Sequence, residues 1–170
     1  MAAYVAGDQA AFEELFQRYA PVLLRVMRQQ LRSQEEANDL VQQTFLQLHR
    51  ARHDFRTDAK LRPWIFTIAL NLKREHLRRV KRRPEAELLL DGKGDPHVTP
   101  EAGRFEAART LRFALERLQP TYREVIELHW LGQLSFPEIS ELLGASLSAV
   151  KVRAHRGYCA LREILEEGHE

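Results

Sequence analysis

Apolar residues recur along this chain at three- and four-residue spacing, the period of a helix with one buried face. In residues 8–31 the stripe is Phe12, Leu15, Phe16, Tyr19, Leu23 and Val26, with Pro21 placed to kink or split the helix. Ser33 and Glu36 have the spacing of a capping box, and Leu40, Val41, Thr44, Phe45 and Leu48 form a second stripe behind it. The run DFRTDAKLR (54–62) has no period and reads as a loop. Pro63 suits the first turn of a third helix reaching about Arg83, with Ile65, Ile68, Ala69, Leu72, His76 and Val80 along its inner side.

The next twenty residues, PEAELLLDGKGDPHVTPEAG (84–103), hold three prolines and three glycines and read as a linker. Beyond them the pattern predicts helices over about 104–118, 121–131, 136–143 and 147–166. Thr121 with Glu124 and Ser135 with Glu138 are further capping boxes, and Gly132 and Gly144 stand where a helix would end on a left-handed residue. No stretch alternates as a strand does. The expected fold is all-α: a small helical domain over 1–83, a flexible linker over 84–103 and a second helical domain over 104–170.

Composition narrows the setting. Of 170 residues 44% are hydrophobic, enough for two cores, and 29% are charged, which suits a soluble protein. No apolar run approaches a membrane span, so no stable membrane insertion is expected, and the N-terminus lacks a signal peptide's regions. A single cysteine, Cys159, rules out an internal disulfide and fits a reducing cytoplasm. The net charge of +2 hides its distribution: residues 1–83 carry +7, residues 84–103 carry −4 and residues 104–170 carry −1. Within the last third, residues 142–162 hold Lys151, Arg153, Arg156 and Arg162 with no acid. Two basic surfaces divided by an acidic segment point to a polyanion touched in two places.

The motifs agree. SFPEISELLGASLSAVKVRAHRGYCALR (135–162) reads as a helix, a tight turn at Gly144-Ala145 and a second helix, with Ile139, Leu142, Leu143, Leu147, Val150 and Leu161 forming a small core. The second helix turns Ser148, Lys151, Arg153, His155 and Arg156 outward, as in a helix-turn-helix whose second helix enters the major groove. In WIFTIALNLKREHLRRVKRR (64–83) an apolar first half gives way to seven Lys/Arg and one acid, Glu75. Phosphates would neutralise that run and release counterions. His155 and Cys159 lie four apart, but no second His/Cys cluster completes a metal site, so no metal or cofactor is expected. No glycine-rich phosphate loop or nucleophile motif is present, and no enzymatic activity is expected.

In its ordered motifs the chain resembles a bacterial alternative sigma factor of the extracytoplasmic-function group (group 4 of the sigma-70 family). The segments that carry the likeness are AFEELFQRYAPVLLR (11–25), EEANDLVQQTFLQLHRAR (35–52), RPWIFTIALNLKREHLRR (62–79) and LERLQPTYREVIELHWLGQLSFPEISELLGASLSAVKVRAHRGYCALR (115–162). The resemblance implies that Asp39, Leu40, Gln42 and Phe45 dock on the β′ clamp helices of core RNA polymerase, and that the β flap is a second contact. It implies that the 54–63 loop captures a base flipped from the −10 element, with Arg56, Lys60, Arg62, Trp64, Asn71, Arg74, Arg78 and Arg79 on that DNA. Ser148, Lys151, Arg153, His155 and Arg156 would meet the −35 duplex. Promoter DNA and an anti-sigma factor are the other implied partners. Departures from the family pattern are Gln43, Thr67, Leu70, Glu75, Ser148-Ala149, Val152 and Ala154.

Two other readings fit the residues. One is a stand-alone helix-turn-helix regulator with a helical dimerisation or sensor domain, which would protect a two-fold symmetric site without polymerase. The other is a polymerase-binding antagonist that never touches bases, for which Lys151 and Arg153 would be dispensable.

Overall fold

The computed structural model describes residues 1–29, 31, 33–56, 58–82 and 102–167, and every regular element among them is helical. The chain divides into two compact units, residues 1–94 and 95–170. Of the expected linker, residues 84–101 lie outside the described residues, and residues 102 and 103 already belong to a helix.

The first unit contains α1 (Ala2–Val5), α2 (Gln9–Arg28), α3 (Gln34–Arg50), a 3-10 turn at Arg52–Asp54, and α4 (Leu61–Arg82). Asp8 starts α2 by accepting from the backbone N–H groups of Ala10 and Ala11 at 2.9 and 3.3 Å. Pro21 lies inside a continuous α2, so of the expected kink or split the split does not occur. The missing N–H costs one intrahelical bond, but Leu15, Tyr19, Leu23, Val26 and Met27 anchor the helix on both sides of it. Ser33 caps α3 by accepting from the Glu36 N–H at 3.1 Å.

α3 packs on α2 and on α4, so its apolar stripe is covered from two sides. Leu23, Met27, Leu48, Ile65, Phe66 and Leu70 are the largest fully buried side chains of this core. α1, which the apolar pattern did not predict, places Tyr4 against Phe12 and hydrogen-bonds its hydroxyl to Nδ1 of His49. Burial pushes the Tyr4 phenol above its ordinary value, with the Arg52 charge acting the other way.

The second unit contains α5 (Ala102–Arg117), α6 (Pro120–Trp130), α7 (Phe136–Leu143) and α8 (Leu147–Glu167). Two expected signals fail here. Thr121 caps nothing, because Pro120 occupies the first turn and Gln119 is the boundary residue. Gly132 is not left-handed; α6 ends at Trp130 and the positive φ falls on Gln133, at 55°. In place of the Thr121 cap, the Arg123 guanidinium donates to the carbonyls of Glu116 and Leu118, joining α6 to the end of α5. Leu115, Leu118 and Ile126 form a core against which Tyr158, Leu161 and Ile164 of α8 pack.

Candidate nucleic-acid interfaces

In the second unit, α7 and α8 are held by local chemistry. Ser135 and Glu138 form a complete capping box: the Ser135 N–H donates to Glu138 Oε2 at 2.9 Å and the Glu138 N–H to Ser135 Oγ at 3.4 Å. Gly144 ends α7 with φ 61°, a left-handed conformation that costs glycine little. The Ala145 N–H returns to the Ser140 carbonyl at 3.1 Å, and Ser146 Oγ accepts from the Ala149 N–H at 3.2 Å to start α8. The turn is therefore set by hydrogen bonds on both sides.

Val150, Ala154 and Gly157 bury one face of α8. Gly157 is needed there: a Cβ on it would lie 2.7 Å from Ile126 Cδ1 and 3.2 Å from Tyr122 Cβ. The opposite face exposes Ser148, Lys151, Val152, His155 and Arg156. Arg153, expected outward with them, is half-buried, because it stands three residues from Val150 and beside Ala154 at the edge of the packed face. Leu147, expected in the core, is 38% exposed at the first residue of the helix. Cys159 Sγ lies 3.9 Å from His155 Nε2 on the same exposed side. Among the described residues no group of three or more potential metal ligands occurs.

In the first unit, α4 changes character along its length. Ile65, Phe66, Ile68, Ala69 and Leu70 are buried, whereas Asn71, Arg74, Glu75, Arg78, Arg79, Lys81 and Arg82 are exposed. Lys73 belongs to the interior, 3% exposed, and so drops out of the basic surface that its sequence neighbours form. Arg79 lies 3.6 Å from Glu75 one turn back. His76 stands half-buried, 3.7 Å from Glu36 at the start of α3. Phe55, ahead of α4, packs on Trp64 in its first turn with ring centroids 5.0 Å apart, and Trp64 is half-buried. Arg56 makes a two-point ion pair with Asp58, at 3.2 and 2.8 Å. Lys60 is exposed and Arg62 is half-buried.

α3 separates residues that the motif had grouped. Asp39 and Gln42 are exposed, but Leu40 and Phe45 lie 2% and 3% exposed in the core. Phe45 packs between Phe12 and Phe16, at centroid distances of 6.1 and 4.8 Å. Both side chains are packed inside the unit, so they are corrected from outward docking positions to packing residues. The outer face is instead Asp39, Gln42, Gln43, Leu46, Gln47 and Arg50, with Leu46 50% exposed. A groove of ≈ 560 Å³ runs along it, lined by Gln43, Leu46, Gln47, Arg50, Asp54 and Leu72. The exposed apolar Leu46 was missed in the sequence; its position one turn from Gln42 and Gln43 on the polar side was the available signal.

These features define an all-α protein of two helical units, the second built around a helix-turn-helix. The chain matches sigma-70 region 2 over residues 3–83 and sigma-70, region 4 over residues 108–161. It is 38% identical over 162 residues to RNA polymerase sigma factor CarQ of Myxococcus xanthus, covering 95% of this chain and 92% of that protein. It is 33% identical over 168 residues to ECF RNA polymerase sigma factor SigM of Mycobacterium tuberculosis, covering 97% and 82%. In structure it is similar to CnrH in complex with the cytosolic domain of CnrY, with a TM-score of 0.75, 30% identity and coverage of 98% and 94%. The chain belongs to the sigma-70 family as an extracytoplasmic-function sigma factor, an alternative sigma factor for transcription initiation.

Proposed function

We propose that the chain acts in the cytoplasm as a group 4 factor, binding core RNA polymerase through its first unit and reading promoter DNA at two places. In this reading residues 1–83 bind polymerase and the −10 element, residues 84–103 link, and residues 104–170 bind the −35 element. The observation that carries it is the division of α8: Val150, Ala154 and Gly157 face inward, and Ser148, Lys151, His155 and Arg156 face outward. That is the layout a helix needs to lie in a major groove with cations toward phosphates.

The −10 surface consists of Asn71, Arg74, Arg78 and Arg79 on α4, with Lys60, Arg62 and Trp64 beside the loop. Holding a base out of the stack costs a few kcal/mol, and a cationic surface with an aromatic neighbour offsets part of that. Arg56 serves only after exchanging Asp58 for a phosphate, an exposed pair of small net value. The clamp helices of polymerase meet the Asp39, Gln42, Leu46 and Arg50 face of α3, and the β flap meets the second unit. CnrH is known in complex with the cytosolic domain of CnrY. By that likeness this chain is held inactive by an anti-sigma factor. No helix among the described residues is long and apolar enough to cross a membrane.

The test is reconstitution with core polymerase on fragmented genomic DNA, followed by mapping of transcript starts. The expected result is a discrete set of new start sites that share two spaced elements. Absence of new starts, together with failure to co-purify with core enzyme, overturns the reading.

A further inference from the structure

We propose that Val152 is a specificity-determining residue that reads the 5-methyl group of a thymine in the duplex under α8. The inference rests on the reading of α8 as the recognition helix and adds a residue that the basic pattern did not single out. Val152 is 48% exposed, and apart from the half-buried Ala149 the side chains around it are polar: Ser148 one turn before, Lys151 beside it, and His155 and Arg156 one turn after. An isolated exposed valine is unremarkable on most surfaces. Here it sits in the second turn of the helix, between cations, on the side opposite the buried Val150, Ala154 and Gly157.

The chemistry leaves one partner. Valine can neither donate nor accept, so phosphates and the polar base edges gain nothing from it. In the major groove the apolar group on a base edge is the thymine C5-methyl. A β-branched side chain in a helix holds essentially one χ1 rotamer. The two methyls of Val152 are therefore presented in a fixed direction and lose little entropy on contact. Lys151 and Arg156, on long flexible stems, reach outward past the valine to phosphates, and so bring the helix close enough for its shorter side chain to touch the groove floor. Burying one methyl corresponds to about a fourfold change in affinity.

The test uses holoenzyme formed from the full chain and core polymerase. The probes are duplexes carrying the upstream element enriched by that holoenzyme, in which each thymine is replaced in turn by deoxyuridine, removing only the methyl. For the unsubstituted protein, one position is expected to lose about fourfold in affinity and the rest to change little. Val152→Ala, at an exposed helical site that Ala suits, should abolish the penalty at that position. Val152→Ile, which keeps a branched apolar side chain, should retain it. A deoxyuridine scan with no sensitive position overturns the proposal, as does sensitivity that persists undiminished in Val152→Ala. Failure of holoenzyme to enrich any upstream element is a different result: it removes the functional reading itself, and this proposal with it.

Discussion

Gly157→Ala would test how α8 is seated against α6. The added Cβ meets Ile126 Cδ1 at 2.7 Å, Tyr122 Cβ at 3.2 Å and Ile126 Cγ1 at 3.4 Å. Two effects oppose. Inside a helix, Ala is better than Gly by about 1 kcal/mol. Forcing a methyl into a packed core costs roughly 1–3 kcal/mol. Ile126 Cδ1 is a chain end and could swing aside on an open surface, but Ile126 is buried with Leu115 and Leu118. Tyr122 Cβ is attached directly to the backbone and moves only with α6. Overpacking therefore wins, by about 1 kcal/mol net. Ile126→Val deletes the nearer obstacle and alone costs roughly 0.5–1.5 kcal/mol. The double variant should then cost about 1 kcal/mol less than the two single costs added together. Urea unfolding of the full chain measures this, with the second unit followed by Trp130 fluorescence in a Trp64→Phe background, which removes the other of the two tryptophans. Stabilisation by Gly157→Ala at the full propensity value, or strict additivity with Ile126→Val, would show that the helices are not locked at this crossing.

Three further outcomes are expected. Reversing Arg78 and Arg79 to Glu should weaken promoter opening and flatten its dependence on salt, since each lost phosphate contact removes about 0.9 from the log–log slope on duplex and about 0.7 on a single strand; unchanged opening across a salt series would retire that assignment. On α3, Leu46→Asp should reduce co-purification with core polymerase while leaving the melting temperature nearly unchanged, whereas Phe45→Ala should cost about 3–5 kcal/mol of stability in the first unit; equal loss of stability in both would contradict the inward and outward placement. The Tyr4 phenol, raised from an ordinary 10.0 by burial, stays protonated in the folded chain after the unfolded chain has ionised. Its contribution is thus complete below pH 10 and lost as pH rises through the folded value, and Tyr4→Phe should remove that alkaline component from pH-dependent urea melts.

What the sequence revealed, and what it hid, follows from how local each signal is. Ser135, Glu138 and Gly144 were legible because a cap and a left-handed turn are decided within a few residues. Thr121 had the same spacing but lost its cap to Pro120, whose fixed φ starts the helix one residue earlier. Gly132 lost its left-handed role to Gln133 because α6 stops at Trp130. Short α1 had no stripe of its own to show; it is held by Tyr4 reaching Phe12 and His49, contacts that only the fold creates. The candidate site was legible as a set of residues but not as a surface. Motif likeness placed Leu40 and Phe45 together with Asp39 and Gln42, and only packing by α2 and α4 separates the pair that folds the unit from the pair that faces out. The same applies to Arg153 and Lys73, which formal charge assigns to the solvent and packing draws in.

The crowding of cations at the end of α4 raises the question of what offsets their repulsion. Like charges one turn apart cost a few tenths of a kcal/mol per pair. Arg79, Lys81 and Arg82 lie in the last turn of the helix, where the backbone dipole favours positive charge by about 0.3–1 kcal/mol each. Glu75 faces Arg79, and Lys73 leaves the surface for the interior. The cluster is thus close to neutral in its effect on folding, and the buried first half of α4 holds it in place regardless. A basic surface that neither stabilises nor endangers its own fold retains its attraction for an outside polyanion. Under the proposed function, these cations would displace the counterions condensed on promoter phosphates, so charge reversal here should change promoter binding far more than the stability of the isolated chain.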